Sequence, residues 1–258
     1  MQGGGLAASQ KLVRIGIFAP DAEPATWHKG RRAAYYGNWV MEPNIDDIYE
    51  KTRVLYDQLA PNLGQKFAHG FRILYGPPHH MPEALLIGFQ PGGDLSHAVL
   101  DEHRGPSKTN EYLDQSWPLA RELTKRFGEE WLKGALGTNA VFFRCPSTQL
   151  WRQLDDQVRT QIEVFSRDQV MAIIDRVKPK TLVLMGWDAL DVLGKKGFVE
   201  VVANKPADGR RRRARLAQVG RIAGVRAVAI PHPTAAWKNP PVTEEDWSEI
   251  VDVVKRSK

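Results

Sequence analysis

Ala84-Leu85-Leu86-Ile87-Gly88-Phe89, running directly into Gln90-Pro91-Gly92-Gly93-Asp94, decides the fold class. An unbroken apolar run that stops in a Pro-Gly-Gly turn suits a strand buried on both faces, not one with a wet side. Three further runs of this kind lie downstream: Gly137 to Phe143, Thr181 to Met185 and Val225 to Ile230. Amphipathic segments separate or follow them, at Trp117 to Lys133, Leu150 to Val177, Asp188 to Leu193 and Glu244 to Lys255. Buried strands joined through helices make parallel crossovers. The expectation is a three-layer α/β/α sandwich around a central, mainly parallel, four-stranded sheet.

Upstream, apolar residues from Ile45 to Leu59 recur at three- and four-residue spacings, which predicts a helix capped by Asn44 and stopped by Pro61. Before it, the apolar run Leu12 to Phe18 leads into a loop rich in Pro, Trp, Tyr and Gly. Residues 1–80 read as an N-terminal extension packed on the core, and 81–258 as the α/β domain. No internal repeat is present.

Composition narrows the function classes. The one cysteine, Cys145, excludes an internal disulfide and a four-cysteine zinc or iron–sulfur site within the chain. No stretch reaches the roughly 18–20 apolar residues of a membrane helix, and Met1 to Gln10 lacks a targeting pattern. A soluble, cytoplasmic monomer is expected. The formal charge of +6 and pI near 9.4 suit a polyanionic partner.

In a parallel sheet, active sites lie beyond the carboxyl ends of the strands. Three of the expected strands carry unusual residues there: Gly88-Phe89-Gln90-Pro91-Gly92, then Gly137-Thr138-Asn139-Ala140-Val141, then His232-Pro233-Thr234. The first resembles the Gly-x-x-Pro-Gly loop of the uracil-DNA glycosylase superfamily. The second is similar to its Thr-Asn strand, the third to its His-Pro-Ser motif. The resemblance covers roughly residues 84 to 240, in order and spacing.

The resemblance implies a monofunctional DNA glycosylase, working without metal or redox cofactor on a base flipped out of single- or double-stranded DNA. His232 would donate to the departing base, whose negative charge needs preorganised donors. Asn139 would read the pyrimidine edge, since a carboxamide offers both donor and acceptor. Gln90 stands where some branches hold the attacking water with Asp or Asn; as a carboxamide it can orient water without taking its proton. Asp94 is the substitute base, or else a capping residue. Phe89 is the candidate to stack on the base, with Pro91 completing the loop. Gly92 replaces the tyrosine that closes the C5 face in the uracil-restricted branch, so a C5-modified pyrimidine is admitted, and with it a role in defence against foreign DNA.

Other residues divide between functional and structural readings. Arg210, Arg211, Arg212, Arg213 and Arg215 follow an Asp-Gly turn signal and would pair with DNA phosphates, or form a solvated face. Thr234 and Trp237 would contact DNA, Trp237 as a wedge. Cys145 reads as an inert packed thiol. His69, His79 and His80 lack metal-ligand spacing. Two other outcomes stay open: a DNA-binding module that has lost its chemistry, and an unrelated nucleotide-binding enzyme using Gly92-Gly93 as a phosphate loop, although no Walker lysine is present.

Overall fold

The computed structural model describes residues 43–64, 69–92, 105–203, 215–234 and 242–256, and only the backbone of residues 202, 203 and 215. Four of the strands are the apolar runs: β1 (Ala84–Gly88), β2 (Ala135–Asn139), β3 (Leu182–Met185) and β6 (Val225–Ile230). They lie side by side in the order β2-β1-β3-β6, all parallel. β1 and β2 are buried at every residue.

Among the described residues the sheet has six strands, not the expected four. A hairpin, β4 (Val199–Ala203) and β5 (Arg215–Ile222), adds to β6 in antiparallel fashion and makes β4 an edge. Neither strand carries a continuous apolar run, because an antiparallel hairpin at the margin can leave one face to water. Val199 and Val201 are indeed exposed. Arg215, which reads in sequence as the end of a charge run, is the first residue of β5.

Helices cover both faces. α1 (Asp46–Leu63), α6 (Asp156–Val177) and α7 (Trp187–Leu193) share a core with Leu85, Ile87, Leu182, Leu184 and Ala229. On the opposite face, α3 (Pro118–Phe127) and α8 (Glu244–Lys255) pack on Leu86, Val183, Met185, Val228 and Ile230. This alternation follows from the two-residue repeat of a strand. Short α2 (Glu111–Asp114), α4 (Glu129–Lys133) and α5 (Thr148–Trp151) complete the described elements.

Several boundaries differ from expectation. α1 runs through Pro61, because Leu63 is buried and draws the last turn inward, and ends at Gly64 with φ +67°. The Asn44 side chain accepts from the Asp46 amide at 2.8 Å. The segment Trp117 to Lys133 breaks at Gly128, whose φ of +79° cannot continue a helix. Leu150 to Val177 breaks before Asp155, which caps α6 by accepting from Gln157 and Val158 amides. Residues 71–75 run antiparallel along the outer edge of β2, bridging Phe71 to Phe143 and Leu74 to Thr138. Among the described residues no helix is long and apolar enough to cross a membrane.

Candidate active site

Four parallel strands finish at one edge. By register, Gly88 of β1 lies directly beside Asn139 of β2. β3 leads into Gly186, and β6 into Pro231 and His232. Strand alternation puts residues 88 and 139 on the α3/α8 face, the face that also holds Leu86, while His232 follows β6 two residues beyond Ile230. Of these four strands, the outer two, β2 and β6, end in Asn139 and run on into His232, and the inner two, β1 and β3, end in Gly88 and run on into Gly186. Three strand spacings, about 14 Å, separate the outer pair.

Asn139 is buried, and its Nδ2 donates to the Tyr75 hydroxyl at 2.8 Å. A Cβ on Gly88 would lie 2.6 Å from Asn139 Oδ1, so the carboxamide fills the space a side chain would need. Tyr75 is stacked on Tyr112 and tilted against Trp117, with ring centroids 5.5 and 5.4 Å away. The Arg72 guanidinium lies 5.4 Å from the Tyr75 ring centre and is ion-paired to Glu111. Burial pushes the Tyr75 phenol above its ordinary pKa, so it stays a neutral hydroxyl.

The Gly88–Gly92 loop is zipped to the segment after β2. Ala140 and Val141 amides donate to the Gly88 and Phe89 carbonyls at 2.8 Å, and the Cys145 amide to Pro91 at 3.3 Å. Arg144 Nη1 donates to the Gly92 carbonyl. Gln90 Nε2 donates to the Cys145 carbonyl at 3.2 Å, while its Oε1 is buried with no hydrogen-bond partner among the described residues. Gln90 thus braces the loop through one end of its amide and holds an unused acceptor at the other. Burial raises the Cys145 thiol pKa, and its Sγ donates to the Ser147 carbonyl, which suits an unreactive thiol.

His232 is half-buried between two buried prolines. Its Nδ1 accepts from the Thr234 amide at 3.4 Å and lies 2.9 Å from Thr234 Oγ1. An amide can only donate, so the neutral ring carries its proton on Nε2. Gly186, at φ +96°, places no side chain beside the imidazole; a Cβ there would sit 3.7 Å from that of His232.

The remaining sequence candidates are distributed as follows. Phe89 points to the opposite face, edge-on to Trp151 at 6.4 Å, and lines a cleft of about 520 Å³ with Arg152, Arg159 and Asp188. The structure does not bring its ring alongside Asn139. Gly92 is exposed, and a Cβ there would meet nothing within 4 Å. Thr234 sits on His232. Gly93, Asp94, Arg210, Arg211, Arg212, Arg213 and Trp237 lie outside the described residues. Arg215, the first residue of β5, pairs with Ala203, the last of β4, and β5 joins β6 from the Gln218–Ala229 pair onward. His79 bonds the Pro77 and Gly134 carbonyls near the amino edge, and no group of metal-ligating side chains occurs among the described residues.

Sequence reading missed Tyr75, Arg144 and Gly186. Only Gly186 left a signal, as the glycine between an apolar run and a helix. Comparison with known proteins gives no match to any family model and none to a curated protein.

Proposed function

We propose that the protein is a monofunctional DNA glycosylase that hydrolyses the N-glycosidic bond of a flipped-out pyrimidine and leaves an abasic site. The observation that carries this reading is that the strand ending in Asn139 and the strand leading into His232 finish at the same sheet edge, with two strands between them. The span of about 14 Å, less the reach of both side chains, suits one pyrimidine ring.

In this reading the bond between C1′ and N1 breaks with its electron pair going to the base. Positive charge stays on the sugar, and negative charge collects around the base carbonyl between the ring nitrogens. His232 donates its Nε2–H to that oxygen; such a donor contributes about a hundred- to a thousandfold in rate. Asn139 reads the far edge of the ring. Water then adds to C1′, and its proton ends on the base or in solvent, so no strong base is required. Gln90 Oε1, a buried acceptor without a partner, orients that water. No lysine lies in the three motifs, so a Schiff-base step is not part of the mechanism.

Arg210–Arg213 and Arg215 pair with DNA phosphates. The open space at Gly92 favours a substrate substituted at C5, and thus a hypermodified base of foreign DNA over plain uracil. The unpaired acceptor of Gln90 in place of a carboxylate favours the other reading, a module that binds DNA and no longer cuts. Mass-spectrometric detection of free base released from oligonucleotides with uracil, hydroxymethylated, glucosylated or unmodified pyrimidines tests the proposal. Tight binding without release of any base would favour the module.

A further inference from the structure

We propose that the amino edge of the sheet carries a second binding site, a basic cleft at the β5–β6 turn that takes a dianionic phosphate group. The proposal does not rest on the glycosylase reading.

β5 turns into β6 through Ala223 and Gly224, both at positive φ (+49° and +78°), the geometry of a two-residue hairpin. The register set by this turn puts Arg221 directly opposite Arg226. Opposed residues of an antiparallel pair share a face, with Cβ atoms about 4.5–5.5 Å apart, and like charges there repel. Lys180, in the segment that enters β3, joins them: Lys180, Thr181, Arg221, Gly224 and Arg226 line one cleft of about 360 Å³. A Cβ on Gly224 would meet nothing within 4 Å, so the turn leaves that side open.

The three cations have one carboxylate among their partners. Lys180 is ion-paired to Glu83. Arg221 Nη1 donates to the Gly224 carbonyl at 2.7 Å, and Arg226 Nη2 donates to the Val253 carbonyl of α8. Carbonyls accept hydrogen bonds but bring no net charge, so neither arginine has a counter-ion among the described residues. Arg226 Nη1 is buried and has no hydrogen-bond partner among them. Burial lowers the Arg226 pKa with no carboxylate opposing it, yet a guanidinium stays charged. A buried charged donor left unsatisfied costs more than a neutral one. Hairpin stability alone would favour an acidic residue opposite Arg226. Two arginines paired across a cleft suit a ligand that supplies the negative charge.

A phosphate monoester matches the cleft in charge and in hydrogen bonding. It brings nearly two negative charges at neutral pH, and acceptor oxygens for Arg226 Nη1 and the two guanidinium forks. A phosphodiester of a DNA backbone brings only one charge. The volume of the cleft accommodates the phosphate together with a small organic group. At about 3.3 Å per residue the chain climbs roughly 20 Å from Val225 to His232, which separates this cleft from the candidate active site.

The test follows the backbone amide signals of Gly224, Val225 and Arg226 in the full ¹⁵N-labelled chain. Ribose 5-phosphate, inorganic phosphate or a short DNA duplex with hydroxyl ends is added, with ionic strength held constant by chloride. In wild type both small phosphates are expected to move these signals saturably, with half-saturation at about 1 mM or below. Arg226→Gln removes the charge and is expected to weaken binding about tenfold or more. Arg221→Gln, at an exposed position, should weaken it likewise, and gives the same reading should the change at Arg226 disturb the fold. Without phosphate, Arg221→Gln should raise the melting temperature at low salt, because the like-charge pair is gone. No saturable shift with either small phosphate, or wild-type affinity in both folded variants, overturns the proposal. Shifts that the duplex produces at lower concentration than ribose 5-phosphate, and that Arg226→Gln abolishes, would overturn it too and assign the cleft to a DNA backbone.

Discussion

Asn139 Oδ1 occupies the space that a side chain on Gly88, its register partner in the neighbouring strand, would need: a Cβ there would lie 2.6 Å away. The first motif glycine is therefore explained by the residue beside it. Gly88→Ala is expected to displace the carboxamide and lower kcat/KM for base release about tenfold or more, as small misplacements of a positioning group do. A variant with wild-type kcat/KM would show that Asn139 does not read the substrate.

Thr234 is a direct neighbour of His232. Its amide and hydroxyl both meet Nδ1, which keeps the proton on Nε2. Thr234→Ser is expected to retain activity. Thr234→Val should lose several-fold in kcat with DNA affinity unchanged. A loss of affinity with kcat preserved would return Thr234 to the DNA-contacting surface.

Gly137 is pressed against the Tyr112 ring, where a Cβ would come within 2.3 Å. Gly137→Ala is expected to cost about 1–3 kcal/mol of stability by overpacking, read from denaturant midpoints. An unchanged midpoint would mean that the Tyr75–Tyr112 stack shifts freely.

Asp47 in α1 bonds Arg176 in α6 and Lys51, and these hydrogen bonds hold its carboxyl well below the usual range. A carboxyl depressed in the folded state contributes stability that is present above its unfolded pKa near 4 and disappears as pH falls through the lower folded value. The pair is partly exposed, so the contribution is about 0.5–1 kcal/mol. The melting temperature of wild type should exceed that of Asp47→Asn at pH 7, and the gap should close as pH drops below 4. A gap that persists in strong acid would point to packing instead.

β4 ends and β5 begins at the carboxyl edge of the parallel strands. Replacing Arg210–Arg213 with Ala is expected to weaken DNA binding evenly across sequences. It should also flatten the slope of log K against log salt by about 0.9 for each duplex phosphate that is no longer neutralised. An unaltered slope would make the arginines a solvated turn.

What could be read in sequence follows from how each element is buried. The four strands wet on neither face announced themselves as apolar runs, and the glycine, asparagine and histidine at their ends fell where a parallel sheet puts a site. The β4–β5 hairpin stayed hidden because Val199–Ala203 is short, with Val199 and Val201 exposed, and because Arg215 looked like the close of a charge run. Helix breaks at Gly128 and Asp155 were masked by amphipathic patterns that continue across them. Tyr75 was out of reach for another reason: it meets Asn139 across 64 positions of chain, and only the bridge of residues 71–75 onto the β2 edge brings them together. Phe89, chosen for its place beside a motif, shows the converse, since one step along a strand turns a side chain to the other face.

In the proposed reaction His232 stabilises the departing base. An alkaline-cleavage assay for abasic sites, on one DNA sequence carrying uracil or a C5-modified pyrimidine, compares wild type with His232→Ala. Strand breaks at the modified position that fall about a hundredfold or more in the variant are expected. Breaks of equal yield from both proteins, or none from wild type on any base, would contradict it.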